Sequence, residues 1–341
     1  MSNFAKLMQQ AAAGNAGGEY WAALLGGSDN DYGEGVVTDS SDNIIICARA
    51  TIVSPVFEGQ NAVVAKYDPS GELQWQKGFS GLTSDDVFRG VAVDSSDNII
   101  AVGSTYISGD QHCLVVKYNS SGAIQWQKTL YDAANGQDFY SVAVDSSDNI
   151  IVSGYTNSQG QGSSDILIVK YNSSGTLQWQ RIIGGTGIDR GWRVAIDSSD
   201  DIIVVGRYTS GSAHGFICKY NSSGTLQWQR TIGSTAASQL LSVALDSSDN
   251  IYATGYTVEN GQNDILTVKY NSSGTIQWKI TLEGTGNDYG RGIAVDSSGD
   301  VFVIANTGSD GAGFDDLIIV KYNSSGTLQW QRTFGGASSE T

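Results

Sequence analysis

"KYNSSGTLQWQR" is spelled identically at residues 170–181, 219–230 and 321–332, and relaxed copies stand at 66–77, 117–128 and 269–280. The phrase contains the end of an apolar strand, a turn and the start of a second strand. In "NSSG" the Asn side chain can accept from the backbone, and Gly supplies the positive φ of a short hairpin loop. Working outward, Trp recurs at 21, 75, 126, 179, 228, 278 and 330, and Asp-Ser-Ser begins at Asp39, Asp94, Asp145, Asp197, Asp246 and Asp296. The markers keep one order in every copy, so the chain is built from repeated structural units of about 50 residues.

One copy, residues 88–131, reads as four strands. "FRGVAVD" alternates, "SSDN" turns, "IIAVGSTY" and "CLVVKY" are apolar runs on either side of a variable loop, and "AIQWQKTLY" follows the "NSSG" turn. Runs apolar at consecutive positions must be buried on both faces. Four-stranded antiparallel blades packed face to face around an axis supply that burial, so the expected fold is all-β, a six-bladed propeller. Trp179 and its equivalents are expected to pack between blades, with Leu177 on the same face. A seventh Trp strand, "EYWAALLGG" at 19–27, is surplus to six blades.

The 341 residues carry a net charge of −16, with charged residues at 16%. This disfavours nucleic acid and membrane insertion, since nucleic acid and anionic lipid both reward Lys/Arg clusters and no apolar run is long enough to span a bilayer. Cys47, Cys113 and Cys218 lie in or beside apolar runs and read as buried free thiols. No signal peptide is visible.

The turns "DSSDN" and "NSSG" fall on one end of the blades and are nearly invariant. The opposite end carries the divergent connections "SDNDYGEG", "LTSDDVFRG", "DAANGQDFYS", "TGIDRGWR", "STAASQLLS" and "TGNDYGRG". Binding tends to sit on variable loops over a rigid scaffold. The candidate contact residues on this face are Tyr32, Phe88, Arg89, Tyr140, Arg190, Trp192, Arg193, Tyr289 and Arg291. Aromatic and Arg side chains around a concavity suit a glycan or a protein loop, and equally suit a plug in the propeller channel.

Catalytic patterns are absent from the sequence. His112 and His214 stand in unrelated contexts, and no metalloprotease, phosphate-loop or paired-Cys motif occurs. Acidic pairs such as Asp85–Asp86, Asp288 with Asp31, or Asp315–Asp316 have nothing to bring them together as a glycosidase dyad. No cofactor and no metal are expected; the Asp-rich loops admit Ca²⁺, but turn formation is the favoured role. The "NSS" triplets at Asn119, Asn172, Asn221, Asn271 and Asn323 fit the glycosylation sequon and read as turns.

The first 18 residues differ from the rest. Phe4, Leu7, Met8 and Ala11 fall at helical spacing after a Ser2 or Asn3 cap and before Gly14, which predicts a short amphipathic docking helix over 3–13. Such a helix is too short to stand alone in water. "GNAGG" at 14–18 then reads as a linker, and 19–341 as the propeller.

The unit "GVAVDSSDNIIAVGSTY…VVKYNSSGAIQWQKTL" resembles the SBBP-type β-propeller repeat, a relative of NHL-like blades, over residues 19–336. Near-verbatim copies behind "MSNFAKLMQQAAAG" are similar to structural proteins of tailed phages that infect cyanobacteria. The resemblance implies a virion protein, a knob, decoration or fibre component. Its N-terminal segment would dock on other virion proteins, and its exposed face would contact a host surface glycan, with an oligomer possible. It supplies no catalytic residues.

Overall fold

A computed structural model describes residues 31–51, 60–79, 86–130, 136–157, 159–233, 237–259, 261–309 and 316–335. The expected helix (Phe4, Leu7, Met8, Ala11) and the surplus strand 19–27 lie outside these residues.

The described chain is all-β, with four strands per blade. Blade 1 holds β1 (Tyr32–Thr38), β2 (Ile44–Thr51), β3 (Gln60–Tyr67) and β4 (Leu73–Phe79). Blade 2 holds β5 (Val87–Val93), β6 (Ile99–Ile107), β7 (Asp110–Tyr118) and β8 (Ile124–Leu130). Blade 3 holds β9 (Gln137–Val144), β10 (Ile150–Thr156), β11 (Asp165–Tyr171) and β12 (Leu177–Ile183). Blade 4 holds β13 (Arg190–Ile196), β14 (Ile202–Ser210), β15 (Ser212–Tyr220) and β16 (Leu226–Ile232). Blade 5 holds β17 (Ser238–Leu245), β18 (Ile251–Glu259), β19 (Gln262–Tyr270) and β20 (Ile276–Leu282). Blade 6 holds β21 (Asp288–Val295), β22 (Val301–Thr307), β23 (Asp316–Tyr322) and β24 (Leu328–Phe334). Each set forms one antiparallel sheet in sequence order. The first strands of successive blades pack on one another, β1 on β5 through to β17 on β21, which makes them the inner strands.

Five apolar cores fill the junctions between consecutive blades. Ile45, Cys47 and Val64 of blade 1 meet Phe88, Ile99 and Leu114 of blade 2, and the pattern repeats to Tyr252 and Ile265 against Val301 and Val320. Strands β10 and β11 are buried at every position, as their apolar runs Ile150–Val152 and Ile166–Val169 require. All three thiols are free and buried, and burial pushes the Cys47 thiol up to about 12.

The repeated turns join the blades as well as closing the hairpins. Asp94 accepts from the N–H groups of Ser96 and Asn98 at 3.0 and 2.9 Å, while Asp97 adopts a φ of 58°. From that position its carboxylate reaches back to the Ser40 N–H and hydroxyl of blade 1 at 2.9 and 2.7 Å. The same bond recurs as Ser95 to Asp148, Ser146 to Asp200 and Ser198 to Asp249. Gly299 takes the acceptor's place in blade 6.

In the second turn Asn119 accepts from Ser121 and Ala123, and Trp75 of the preceding blade donates its indole N–H to the Ser120 carbonyl at 3.1 Å. Gly122 has a φ of +79°, and a Cβ there would stand 2.9 Å from the Trp75 ring, so the turn needs Gly twice over. Trp126, Trp179, Trp228 and Trp278 repeat the bond to the next blade. The Trp residues therefore pack between blades as expected, and the "NSS" asparagines serve their turns.

Leu177 departs from expectation: it is 47% exposed. A register shift lies between the pairs Lys170–Trp179 and Tyr171–Leu177, so Gln178 is the extra residue and the simple alternation of faces breaks.

Beneath these turns lie ion pairs. Lys66, Lys117, Lys170 and Lys219 bond to Asp39, Asp94, Asp145 and Asp197 at 2.6 to 2.7 Å, largely out of water. Burial by itself would raise the Asp39 carboxyl, but Lys66 and the donors of Asn43 outweigh it and hold it at about 2. In blade 5, Tyr252 gives its hydroxyl to Asp246 at 2.9 Å, and Lys269 instead lies 4.8 Å over the Tyr252 ring.

The sixth junction is unlike the other five. Among the described residues, Trp330 makes no bond to a turn of blade 1 and is 36% exposed. Ser297 and Asp42, the counterparts of the Ser–Asp pairs, make no such bond either. Ile304 is 46% exposed although its register equivalents Val102 and Val205 are fully buried, and Leu317 and Phe334 beside it are exposed too. Among the described residues the polar seal thus joins five pairs of consecutive blades and is not repeated between blade 6 and blade 1, while Ala48, Ala50 and Val63 on the far face of blade 1 are buried.

Replacing Lys117 by Met leaves Asp94 buried without its cation, and an expected loss of about 3 kcal/mol follows from the cost of stranding one member of a buried pair. Urea unfolding should show a lower midpoint at unchanged slope; a midpoint equal to wild type would refute this role for the pair.

Candidate functional site

The inner strands share one irregularity. Each carries a β-bulge at the same place, with register shifts between Gly33 and Gly35, Phe88 and Gly90, Gly191 and Arg193, Leu240 and Ser242, and Gly290 and Gly292. In blade 3 the shift falls opposite Ser153 and Gly154, between Phe139 and Ser141. A bulge leaves one residue unpaired and re-aims its side chain. The six unpaired residues are Glu34, Arg89, Tyr140, Trp192, Leu241 and Arg291, and all six line one axial cavity of about 410 Å³.

The bulge also explains a column of glycines on the second strands. A Cβ on Gly154 would lie 1.9 Å from the Asp138 carbonyl oxygen, so only a residue without one fits opposite the kink. Gly103, Gly206 and Gly255 repeat the contact.

Around the bulge residues, the ladder pair two residues before each bulge residue supplies a second tier: Tyr32 with Arg49, Val87 with Ser104, Asp138 with Tyr155, Arg190 with Arg207, Gln239 with Tyr256, and Tyr289 with Asn306. Arg193, Gln239, Tyr256 and Tyr289 complete the lining.

The aromatic side is built on Trp192 and Tyr140, whose ring centroids lie 4.6 Å apart. Trp192 donates its indole N–H to Gln239 Oε1 at 3.2 Å, and Arg190 donates to the Tyr140 hydroxyl at 3.1 Å while stacking over Tyr155. Across the cavity Tyr289 meets Tyr256 edge-on at 5.1 Å and accepts from Asn263 at 2.8 Å.

On the charged side, Arg89 donates Nε to Asp138 at 2.6 Å and lies 3.6 Å from Glu34. Burial would lower the Arg89 pKa, but Asp138 outweighs it and the guanidinium is held charged. Asp138 is almost fully buried, and burial lifts its carboxyl to about 6 in spite of Arg89. Arg193 donates to the Trp192 carbonyl at 3.0 Å, and burial lowers its pKa against the opposing pull of Glu34. Arg291 is exposed, held by Asn306 at 2.8 Å and stacked over Tyr289.

Of the residues singled out from sequence, Arg89, Tyr140, Trp192, Arg193, Tyr289 and Arg291 come together at the cavity. Arg190 sits behind its aromatic wall. Tyr32 is 44% exposed at the rim under Arg49, outside the lining. Phe88 is a correction: it is fully buried against Phe79 in the first junction core. Phe88 and Arg89 are consecutive, and the bulge at Arg89 decides which of them faces the axis. Glu34, Gln239, Leu241 and Tyr256 were missed, although alignment of the inner strands on Arg89 and Trp192 would have flagged Glu34 and Leu241.

The Asp-rich loops use their oxygens locally. Asp288 accepts from the Gly308 N–H at 3.1 Å and the Ser309 hydroxyl at 2.7 Å, and Asp86 accepts from the Tyr106 N–H at 3.2 Å. Asp189 likewise accepts from Gly185 and Thr209. Among the described residues no group of three or more His, Cys, Asp or Glu is placed to hold a metal ion.

Comparison with known proteins agrees on the repeat. Residues 277–311 match the SBBP beta-propeller repeat, and residues 146–177 match the domain of unknown function (DUF5122) beta-propeller. An uncharacterized WD repeat-containing protein of Acanthamoeba polyphaga mimivirus is 26% identical over an alignment covering 55% of this chain and 18% of its own length. The chain thus spans about a fifth of that relative. A protein from Lactobacillus plantarum superposes with a TM-score of 0.57 at 14% identity, over 91% of this chain and 86% of its own. A polysaccharide lyase of family PL25, an ulvan lyase, gives 0.55 at 10% over 86% and 81%. Sqt1 of Chaetomium thermophilum gives 0.53 at 12% over 88% and 72%. At these identities the likeness is one of fold.

The buried carboxyl makes a pH prediction. A folded pKa near 6 lies above the ordinary carboxylate value, so Asp138 contributes most favourably at low pH. That contribution is lost as pH rises through about 6. The stability difference between wild type and Asp138→Asn, from urea titrations at pH 4.5 to 7.5, should shift against wild type across this window. A difference independent of pH would show that Asp138 ionises normally.

Proposed function

We propose that this β-propeller repeat protein is a non-enzymatic recognition module of a virus particle, binding a surface saccharide in its axial cavity. The observation that carries the reading is the set of six equivalent bulges, which aim one side chain from every blade into one concavity walled by Trp192, Tyr140, Tyr256 and Tyr289. Flat aromatic faces match the apolar faces of pyranose rings, and the Gln and Arg groups around them match hydroxyls. The invariant turn face is committed to joining blades, which leaves the divergent face for recognition.

The viral setting draws support from the mimivirus relative and from the N-terminal sequence, whose amphipathic spacing calls for a docking partner. In this reading residues 1–18 attach the propeller to other virion proteins. The non-enzymatic reading rests on the uses already made of the candidate acids. Asp86 accepts from the Tyr106 N–H, and Asp288 closes its own loop.

Two measurements test the proposal. On an array of host-type glycans the protein should bind a defined subset, and Trp192→Ala should weaken that binding about tenfold or more without loss of cooperative unfolding. A chain lacking residues 1–18 should fail to join particles; incorporation at the wild-type level would remove the anchoring role of that segment, absence of the full chain from particles would remove the virion role, and glycan binding unaffected by Trp192→Ala would remove the cavity's role.

A further inference from the structure

Cations are distributed very unevenly in this protein. The chain has nine Arg, and three of them, Arg181, Arg230 and Arg332, stack over outer-strand Trp rings. The other six, Arg49, Arg89, Arg190, Arg193, Arg207 and Arg291, all stand on the inner two strands at the axial mouth. No described Lys joins them: Lys66, Lys117, Lys170, Lys219, Lys269 and Lys321 serve the turn face, and Lys77, Lys128 and Lys279 lie on outer strands. A chain with a net charge of −16 thus gathers guanidinium groups, to the exclusion of ammonium groups, around one cavity.

Three described carboxylates face these guanidinium groups. Glu34 and Asp138 both serve Arg89, with Glu34 also facing Arg193, and Asp189 lies beneath Arg207 with its oxygens on loop N–H groups. Among the described residues, Arg291 has a neutral amide and a Tyr ring as partners. The Nε groups of Arg49 and Arg190 are shielded from solvent and find no acceptor. Like charges gathered around a low-dielectric cleft focus a positive potential inside it, and Arg rather than Lys suits planar, two-pronged recognition of an anionic group.

We infer that the axial cavity selects an acidic saccharide, whose carboxylate or sulfate is held by Arg291 and Arg193 while a neighbouring ring lies on the Trp192–Tyr140 wall. This rests on the saccharide-binding reading above and narrows it to a charged class. Recognition by guanidinium forks also implies that Lys is a poor substitute at these positions.

The test uses matched probes: oligogalacturonate against its methyl ester, and a sulfated galactan oligosaccharide against its desulfated form, followed by calorimetry and by Trp fluorescence. The expected result is at least about tenfold preference for the acidic member of one pair, weakening as salt is raised because the charges are partly exposed. Whichever pair responds separates carboxylate from sulfate as the source of charge. Arg291→Gln and Arg291→Lys should each lower that affinity about tenfold, with thermal unfolding unchanged because Arg291 is exposed and bonded only to Asn306. Equal binding of charged and neutral partners overturns the anionic selection and leaves saccharide binding standing. Binding of none of the four probes, in a protein that also binds nothing on a glycan array, overturns both. Full rescue by Arg291→Lys would reject the planar-fork basis of the selection.

Discussion

A β-sheet that is apolar at consecutive positions cannot leave either face in water, and this constraint organises the whole molecule. Each blade has to be covered twice, once by the blade before it and once by the blade after it. The covering is apolar, as in Ile45 and Cys47 against Phe88 and Leu114, but apolar contact alone is indifferent to rotation and sliding. Register between blades comes from the polar seals at the turns, where one blade's Trp and Ser find the next blade's carbonyl and carboxylate. The verbatim repetition of "NSSG" and "DSSDN" follows from this double duty. Asn and Asp close their own hairpins, and Gly122 and Asp97 hold the positive φ values that bring the turn against its neighbour.

The same logic makes the sixth junction informative. Ile304 and Leu317 belong to the pattern that buries their counterparts elsewhere, yet they are exposed, and Trp330 makes no bond to a turn of blade 1 among the described residues. The seal is therefore a property of a pair of blades and not of a blade. Copying a blade copies half of each junction, and the other half has to be supplied from outside it.

Function is placed by a departure from regularity at the inner edge. A regular inner strand would direct alternate side chains into the two junction cores and none along the axis. The bulge inserts one residue that belongs to neither core, and six of them turn a structural repeat into a site with side chains of five kinds. Because the bulge residue makes no ladder contact, its identity is free of the packing rules that fix its neighbours. Glu34, Tyr140 and Leu241 can occupy equivalent positions without disturbing the fold. The buried Arg89–Asp138 pair and the Trp192–Gln239 bond then stiffen the wall between blades 2, 3, 4 and 5.

Strand number, strand order, the two turn types and the interblade role of Trp were legible in the sequence, because each is a local property repeated at a fixed period. A strand's apolar run declares burial on both faces, and an Asn followed by Gly at a fixed distance declares its hairpin. The site was legible only in part. Arg89, Tyr140, Trp192 and Arg291 were found by composition on the variable face, but Phe88 was grouped with them because nothing local distinguishes the residue before a bulge from the residue within it. That distinction is a one-residue slip of register, set by the Gly on the neighbouring strand and by the blade packed behind it. The missing polar seal at the sixth junction was equally beyond the sequence, since Trp330 and Ser297 are the same residue types that make the seal elsewhere. The chain by itself determined six blades and the seals that join them. Only the tertiary structure decided which side chains reach the axis and which pairs of blades carry the polar seal.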